Sequence, residues 1–287
     1  MRAKQGAVRS GCIEPLFPAV DGHDQFGIAR RTQFSQLSVQ VRDARRAGPL
    51  VQIIDILRND RYIEVLFQLC KPDVSGIRLY IQHEKWQKVV SLRMNDTKLT
   101  SLPENIFGMK KVSTFDFCDN QGLSNLPKYR GDNTYMGGLF LDNCSFTSIP
   151  EIANTRMRTL SLANNKITSV SQEVVNGLSD QLLTLILDDN KINSFPQMAS
   201  LIELSLDNCG LTAIPDLSKL PELCVLSLNS NQILEVKDGT FTNCTKFAIL
   251  DLSKNTELRT FSNHAGFTVI DQTVKYRNKK LVGDKVV

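Results

Sequence analysis

From Val89 onward, apolar residues recur at places 1, 4, 6, 11 and 14 of a repeated unit, with a small polar residue, usually Asn, at place 9. The first copy reads Val89, Leu92, Met94, Thr97, Leu99, Leu102. Seven more start at Val112, Met136, Met157, Leu182, Leu201, Leu223 and Phe247. Successive starts lie 19 to 25 residues apart, the spacing of a solenoid with one supersecondary unit per copy. Places 4 and 6 have the strand period. They predict short strands whose alternate side chains, such as Leu160 with Leu162 and Leu226 with Leu228, share one buried face. One copy cannot bury so small an apolar set, so neighbours must stack into a continuous core.

Place 9 ends the strand, where a buried side-chain amide can bond backbone groups that the turn leaves unpaired. Asn120, Asn165, Asn190, Asn231 and Asn255 suit that role, while Thr97, Cys144 and Cys209 satisfy fewer groups at the same place. Pro103, Pro127, Pro150, Pro196 and Pro215 directly follow place 14, where a fixed φ and a missing N–H suit an extended turn leaving the sheet. The remaining residues of each copy leave room for a helical turn or two, so mixed 3₁₀, α and irregular backs are expected. Copies two and eight each hold one extra residue, and Gly122 is expected to absorb the first of these by adopting a positive φ.

The stretches MRTLSLANNKITSV from Met157 and LIELSLDNCGLTAIP from Leu201 resemble the leucine-rich-repeat family, and the resemblance covers about residues 89–262. It implies an α/β fold, a horseshoe solenoid in which each repeat gives one strand to a parallel concave sheet. The disulfide-bonded cysteine caps of the family's extracellular members are not visible in this sequence.

Residues 1–48 lack a periodic apolar face and read as a poorly ordered tail. Residues 49–88 contain LVQIIDILRNDRYIEVLFQLC and Trp86, and are expected to form a helical N-terminal cap of amphipathic helices broken near Asn59. The repeat domain of about eight repeats then runs over 89–270, followed by a basic C-terminal tail over 271–287.

Composition narrows the function. A net charge of +4 on 287 residues is too small to favour nucleic acid or a membrane surface as partner. No apolar run approaches the eighteen or so residues of a membrane span. The seven cysteines are isolated along the chain, which suits reduced buried thiols, and the first residues lack the apolar stretch of a signal peptide. A cytoplasmic location is therefore expected, with the extracellular face as the alternative if a signal sequence is missing. The three histidines, His23, His83 and His264, stand apart from any nucleophile or ligand spacing, and no phosphate-loop, zinc-protease or hydrolase motif occurs. Neither an enzymatic role nor a cofactor or metal is expected. Arg130-Gly131-Asp132 reads as an ordinary turn, and sequons occur at Asn95, Asn143 and Asn243.

Side chains between the buried leucines line the face of the sheet that such solenoids use for binding. Across places 3, 5, 7 and 8 stand the acids Asp96, Asp116, Asp119, Asp142, Asp188, Asp189, Glu203, Asp207 and Asp251, opposed only by Arg93 and Lys254. Local turn chemistry accounts for Asp119 and Asp189 but not for Asp116, Asp142, Asp188, Glu203, Asp207 and Asp251. Phe140 and Ile186 point outward at place 5, as interface anchors do. These eight residues are the expected partner-binding set of a non-catalytic protein-interaction scaffold that takes a basic protein segment on an acidic concave face. The alternative is the ligand-sensing portion of a receptor-like protein kinase whose membrane helix and kinase domain are absent from this chain.

Overall fold

The computed structural model describes residues 51–59, 62–69, 89–128, 136–152, 156–178, 181–193, 195–196, 198–261 and 268–270. The expected tails at 1–48 and 271–287, the cap residues 70–88 with Trp86, and the Arg130–Asp132 turn lie outside them.

Eight parallel strands arise where the eight copies place them: β3 Val89–Arg93, β4 Thr114–Asp116, β5 Gly138–Phe140, β6 Thr159–Ser161, β7 Thr184–Ile186, β8 Glu203–Ser205, β9 Val225–Ser227 and β11 Ile249–Asp251. They pair in chain order within one sheet of eleven strands. The next strand along is β13, Thr268–Ile270, parallel to β11 with Val269 opposite Leu250. The repeat pattern did not reach this ninth copy, of which only the strand stretch FTVI matches.

At the other edge the expectation of helices fails. Val51–Asn59 and Tyr62–Leu69 form β1 and β2, an antiparallel hairpin, and β2 continues the sheet parallel to β3. The apolar runs of IIDIL and YIEVLF fit either period over so short a span. Their Ile, Val, Tyr and Phe content favours the strand. A strand can also satisfy the backbone groups of β3 along its edge, which a helix cannot.

Core positions are as the pattern requires. Leu160, Leu162, Leu204, Leu206, Leu226 and Leu228 are wholly buried. The place-9 amides stitch adjacent copies. Asn190 accepts the Ile167 N–H at 2.9 Å and donates to the Leu162 and Leu187 carbonyls at 2.9 and 3.0 Å. Asn120, Asn165, Asn231 and Asn255 make corresponding bonds. At Cys209 the thiol replaces the amide and reaches only carbonyls, those of Leu187 and Asp207.

Among the described residues the backs are mixed, as expected: a 3₁₀ turn at Ile106–Gly108, turns elsewhere, and one helix, α1 Gln172–Gly177, capped by Ser171, whose hydroxyl accepts the Val174 N–H. A small parallel pair on this side joins β10 Glu235–Val236 to β12 Thr260–Phe261. Gly122 does not have the expected positive φ. Its need for glycine is close approach instead, because a Cβ there would lie 2.7 Å from Thr100 Cγ2 and 3.0 Å from the Leu99 carbonyl oxygen of the preceding copy.

Candidate partner-binding face

Stacking converts places in the repeat into rows across the sheet. The place-5 row reads Arg93, Asp116, Phe140, Ser161, Ile186, Ser205, Ser227, Asp251, each residue paired to the next. Four of the eight expected site residues, Asp116, Phe140, Ile186 and Asp251, thus share one row. Glu203 lies in the neighbouring place-3 row, followed there by Val225 and Ile249. Ile249 is 37% exposed, an apolar contributor that the charge-centred reading of the sequence passed over. Phe140 lies across its own strand, where a Cβ on Gly138 would stand 2.9 Å from Phe140 Cε2, so glycine at that place makes room for the ring.

Asp142, Asp188 and Asp207 lie in a third row, at place 7, and their geometry differs from the sequence expectation. Asp142 Oδ1 accepts the Ser161 hydroxyl at 2.6 Å and the Ala163 N–H at 2.8 Å. Asp188 Oδ1 accepts Ser205 and the Asp207 N–H at the same two distances, and Asp207 Oδ1 accepts Ser227 and the Asn229 N–H likewise. Each carboxylate therefore ties its own copy to the next. Sequence reasoning missed the serine partners, although a signal existed. All three Asp at place 7 precede a Ser at place 5 of the following copy, whereas the small neutral Cys118 and Ala163 precede Phe140 and Ile186.

Burial weakens the charge of this row. Desolvation raises the pKa of Asp142, Asp188 and Asp207 above the ordinary carboxylate range, that of Asp207 to about 6, against the hydrogen bonds from serine and backbone that lower it. The neighbouring Asp188 adds to the rise at Asp207. Asp116 is itself engaged: it accepts Asn95 Nδ2 at 2.9 Å and lies 3.7 Å from Arg93 Nε. Glu203 accepts Thr184 Oγ1 at 3.4 Å, and Asp251 accepts the Ser253 N–H at 2.8 Å. A count of acids along the sequence thus overstates the negative charge that the face presents.

Place 8 has a separate cause. In all eight copies its φ is positive, from Asp96 at 48° to Asp119 at 62°, and Asn and Asp tolerate that left-handed backbone better than most side chains. Beside this edge of copies one to four runs an open trough of about 960 Å³, lined among others by Asp96, Lys98, Asn143, Asn164 and Lys166, and none of the eight expected site residues lines it. Among the described residues no cluster of three or more His, Cys, Asp or Glu is placed to hold a metal, and no helix is long and apolar enough to cross a membrane. Cys118, Cys144, Cys209 and Cys244 are free thiols, their pKa values raised by burial.

Comparison with known proteins agrees with this architecture. A leucine rich repeat family model matches residues 221–268. Keratocan of Gallus gallus is 27% identical over 199 residues, which are 63% of this chain and 55% of that protein. Keratocan of Mus musculus is 32% identical over 164 residues, 53% of this chain and 46% of the relative. Toll-like receptor 7 of Mus musculus is 30% identical over 130 residues, 41% of this chain and 12% of the receptor. The chain spans about half the length of the keratocans it matches. These relatives are extracellular-matrix or membrane-receptor proteins, so they lend no support to the expected cytoplasmic location. With nine parallel strands in repeat order among the described residues, its asparagine ladder and these likenesses, the chain folds as a leucine-rich-repeat solenoid.

Proposed function

We propose that this chain is a non-catalytic recognition scaffold, acting on the extracellular side, which takes a basic and apolar protein segment across the outer face of its sheet. The observation that carries the reading is the place-5 row. Phe140 and Ile186 stand half-exposed on either side of buried Ser161, with Asp116 and Asp251 further out along the same row and Glu203 beside it. Truncation of such apolar anchors dominates the loss at protein interfaces, while surrounding charges set orientation and rate. The half-buried acids Asp142, Asp188 and Asp207 contribute less charge, but each Oδ1 is used within the fold and the second oxygens of Asp188 and Asp207 can accept a hydrogen bond from a partner. The likeness to Toll-like receptor 7 favours a receptor portion as the second reading, in which the same face would sense a ligand.

The test uses two labelled peptides, one alternating lysine with leucine and one alternating glutamate with leucine, titrated against the full chain at low and high salt. Binding of the lysine peptide alone, weakened by salt, is expected. Phe140→Ala with Ile186→Ala should weaken it by about tenfold or more, the scale of losing an interface anchor. The combined variant D116N/E203Q/D251N should reduce the salt dependence. Equal binding of both peptides, or binding indifferent to all five substitutions, would refute the reading.

A further inference from the structure

The three sequons occupy structurally different ground. Asn95 and Asn143 lie at the end of the sheet strands, at places 7 and 8, while Asn243 lies on the back of copy seven. There Phe241, Cys244 and Phe247, spaced by three, turn inward to buried positions, and the Phe241 and Phe247 rings stack with centroids 4.4 Å apart. Turn bonds from the Cys244 N–H to the Phe241 carbonyl and from the Phe247 N–H to the Cys244 carbonyl fix this period. The residues between therefore point outward, and Thr242, Asn243, Thr245 and Lys246 are exposed. Both groups a sequon needs, the Asn243 amide and the Thr245 hydroxyl, thus stand on one solvent-facing side, with a small buried thiol between them.

The other two sites are committed to the fold. Asn95 Nδ2 donates to Asp116 Oδ2 at 2.9 Å, and Asn95 Oδ1 is buried. Asn143 sits in the middle of a side-chain row. Its Nδ2 donates to Asp119 at 2.8 Å and its Oδ1 accepts from Asn164, so its amide bonds to the copies on both sides. The hydroxyls of their sequons are also engaged: Thr97 donates to the Met94 carbonyl of its own copy, and Ser145 donates to the Gln121 carbonyl of the preceding copy. Asn243 is exposed where Asn95 and Asn143 are half-buried, and its Nδ2 makes one bond of 3.2 Å to the Ser218 carbonyl. Attachment of a sugar leaves that nitrogen one N–H with which to keep it.

We infer that Asn243 is the N-glycan acceptor of this fold and that Asn95 and Asn143 stay unmodified in the folded, secreted protein. The donor is a lipid-pyrophosphate-linked oligosaccharide. Its anomeric carbon forms a bond to Asn243 Nδ2, the bond from that carbon to the pyrophosphate breaks with its electron pair leaving on the lipid pyrophosphate, and Nδ2 gives up one proton. Modification in the chain's own cells rests on the extracellular reading above, whereas the choice among the three sites rests on geometry alone.

The two are tested separately. The full chain, directed to secretion from cultured animal cells by an added leader, is treated with an amidase that removes N-glycans, and its mass is measured. A loss of one glycan is expected from the native sequence, from N95Q and from N143Q, and none from N243Q. Thr245→Ala keeps the asparagine but removes the sequon, and should also abolish the shift, which guards against misfolding of N243Q. A glycan that persists in N243Q and T245A, or no glycan on the native sequence, overturns the assignment. The chain isolated from its own cells serves as a second arm. No glycan there, with one on the directed chain, overturns the extracellular reading and supports the site.

Discussion

Ser205 donates its hydroxyl hydrogen to Asp188 Oδ1 over 2.6 Å, from the strand of one copy to the turn of the copy before it. The same oxygen accepts the Asp207 N–H at 2.8 Å, so one carboxylate atom holds both a side chain and the backbone of its neighbour. The arrangement repeats at Asp142 with Ser161 and at Asp207 with Ser227. What reads along the chain as a row of acids is, in the fold, a row of clamps between repeats.

Removing the clamp should cost more than removing its charge. Asp188→Ala leaves the Ser205 hydroxyl and the Asp207 N–H without their acceptor and is expected to lower stability by about 1–3 kcal/mol, whereas Asp188→Asn retains Oδ1 and should cost less than about 1 kcal/mol. Urea unfolding of the two variants measures the difference. Equal losses would show that the bonds contribute little.

Titration of the row gives a second prediction. Asp207 has a folded pKa of about 6 against an ordinary value of 3.8, so between those values the folded chain binds more protons than the unfolded one. Its stabilising contribution is complete below the lower value and is lost as pH rises through the upper one. Measured as urea midpoints, native stability relative to Asp207→Asn should fall between pH 4 and pH 7. A difference that is flat or rises over that range contradicts the burial of this carboxylate.

The place-9 ladder predicts an ordering of damage. Asn190→Ala strands the Ile167 N–H and two carbonyls in the core, and should cost about 3 kcal/mol or more at 1–3 kcal/mol for each unpaired group. Leu206→Ala opens a cavity in mid-solenoid and should cost about 2–5 kcal/mol. Cys209→Ala removes only a thiol at a place already without an amide, and should cost roughly 1 kcal/mol. Thermal or chemical unfolding in which Cys209→Ala is the most damaging of the three would contradict this account.

Gly122→Ala tests the close approach of copies one and two. The added methyl would meet the Leu99 carbonyl at 3.0 Å as well as Thr100 Cγ2, and backbone cannot yield as a flexible side-chain tip does. A loss of about 1–3 kcal/mol is expected from such overpacking. The φ of Gly122 suits any residue, so an unchanged stability would mean that the two copies can separate locally to admit the methyl.

The sequence by itself determined the strands, the core and the place-9 asparagines, because these follow from periods within one copy: side chains two apart share a face, and a buried turn needs an amide. Its Asn and Asp at place 8 answer a local backbone need, a positive φ. Only the tertiary structure decided what one copy does to the next. The Asp–Ser clamps, the room that Gly138 leaves for Phe140, the contact at Gly122 and the engagement of Asp116 with Asn95 and Arg93 join residues that are distant along the chain, and they exist only at the register that stacking sets. The N-terminal edge shows the same division. Residues 51–69 carry an apolar run too short to distinguish helix from strand, and pairing with the open edge of β3 settles it as a hairpin. The charge of the outer sheet face was illegible for the same reason, since residue type fixes a carboxylate's formal charge but burial and neighbours fix its pKa.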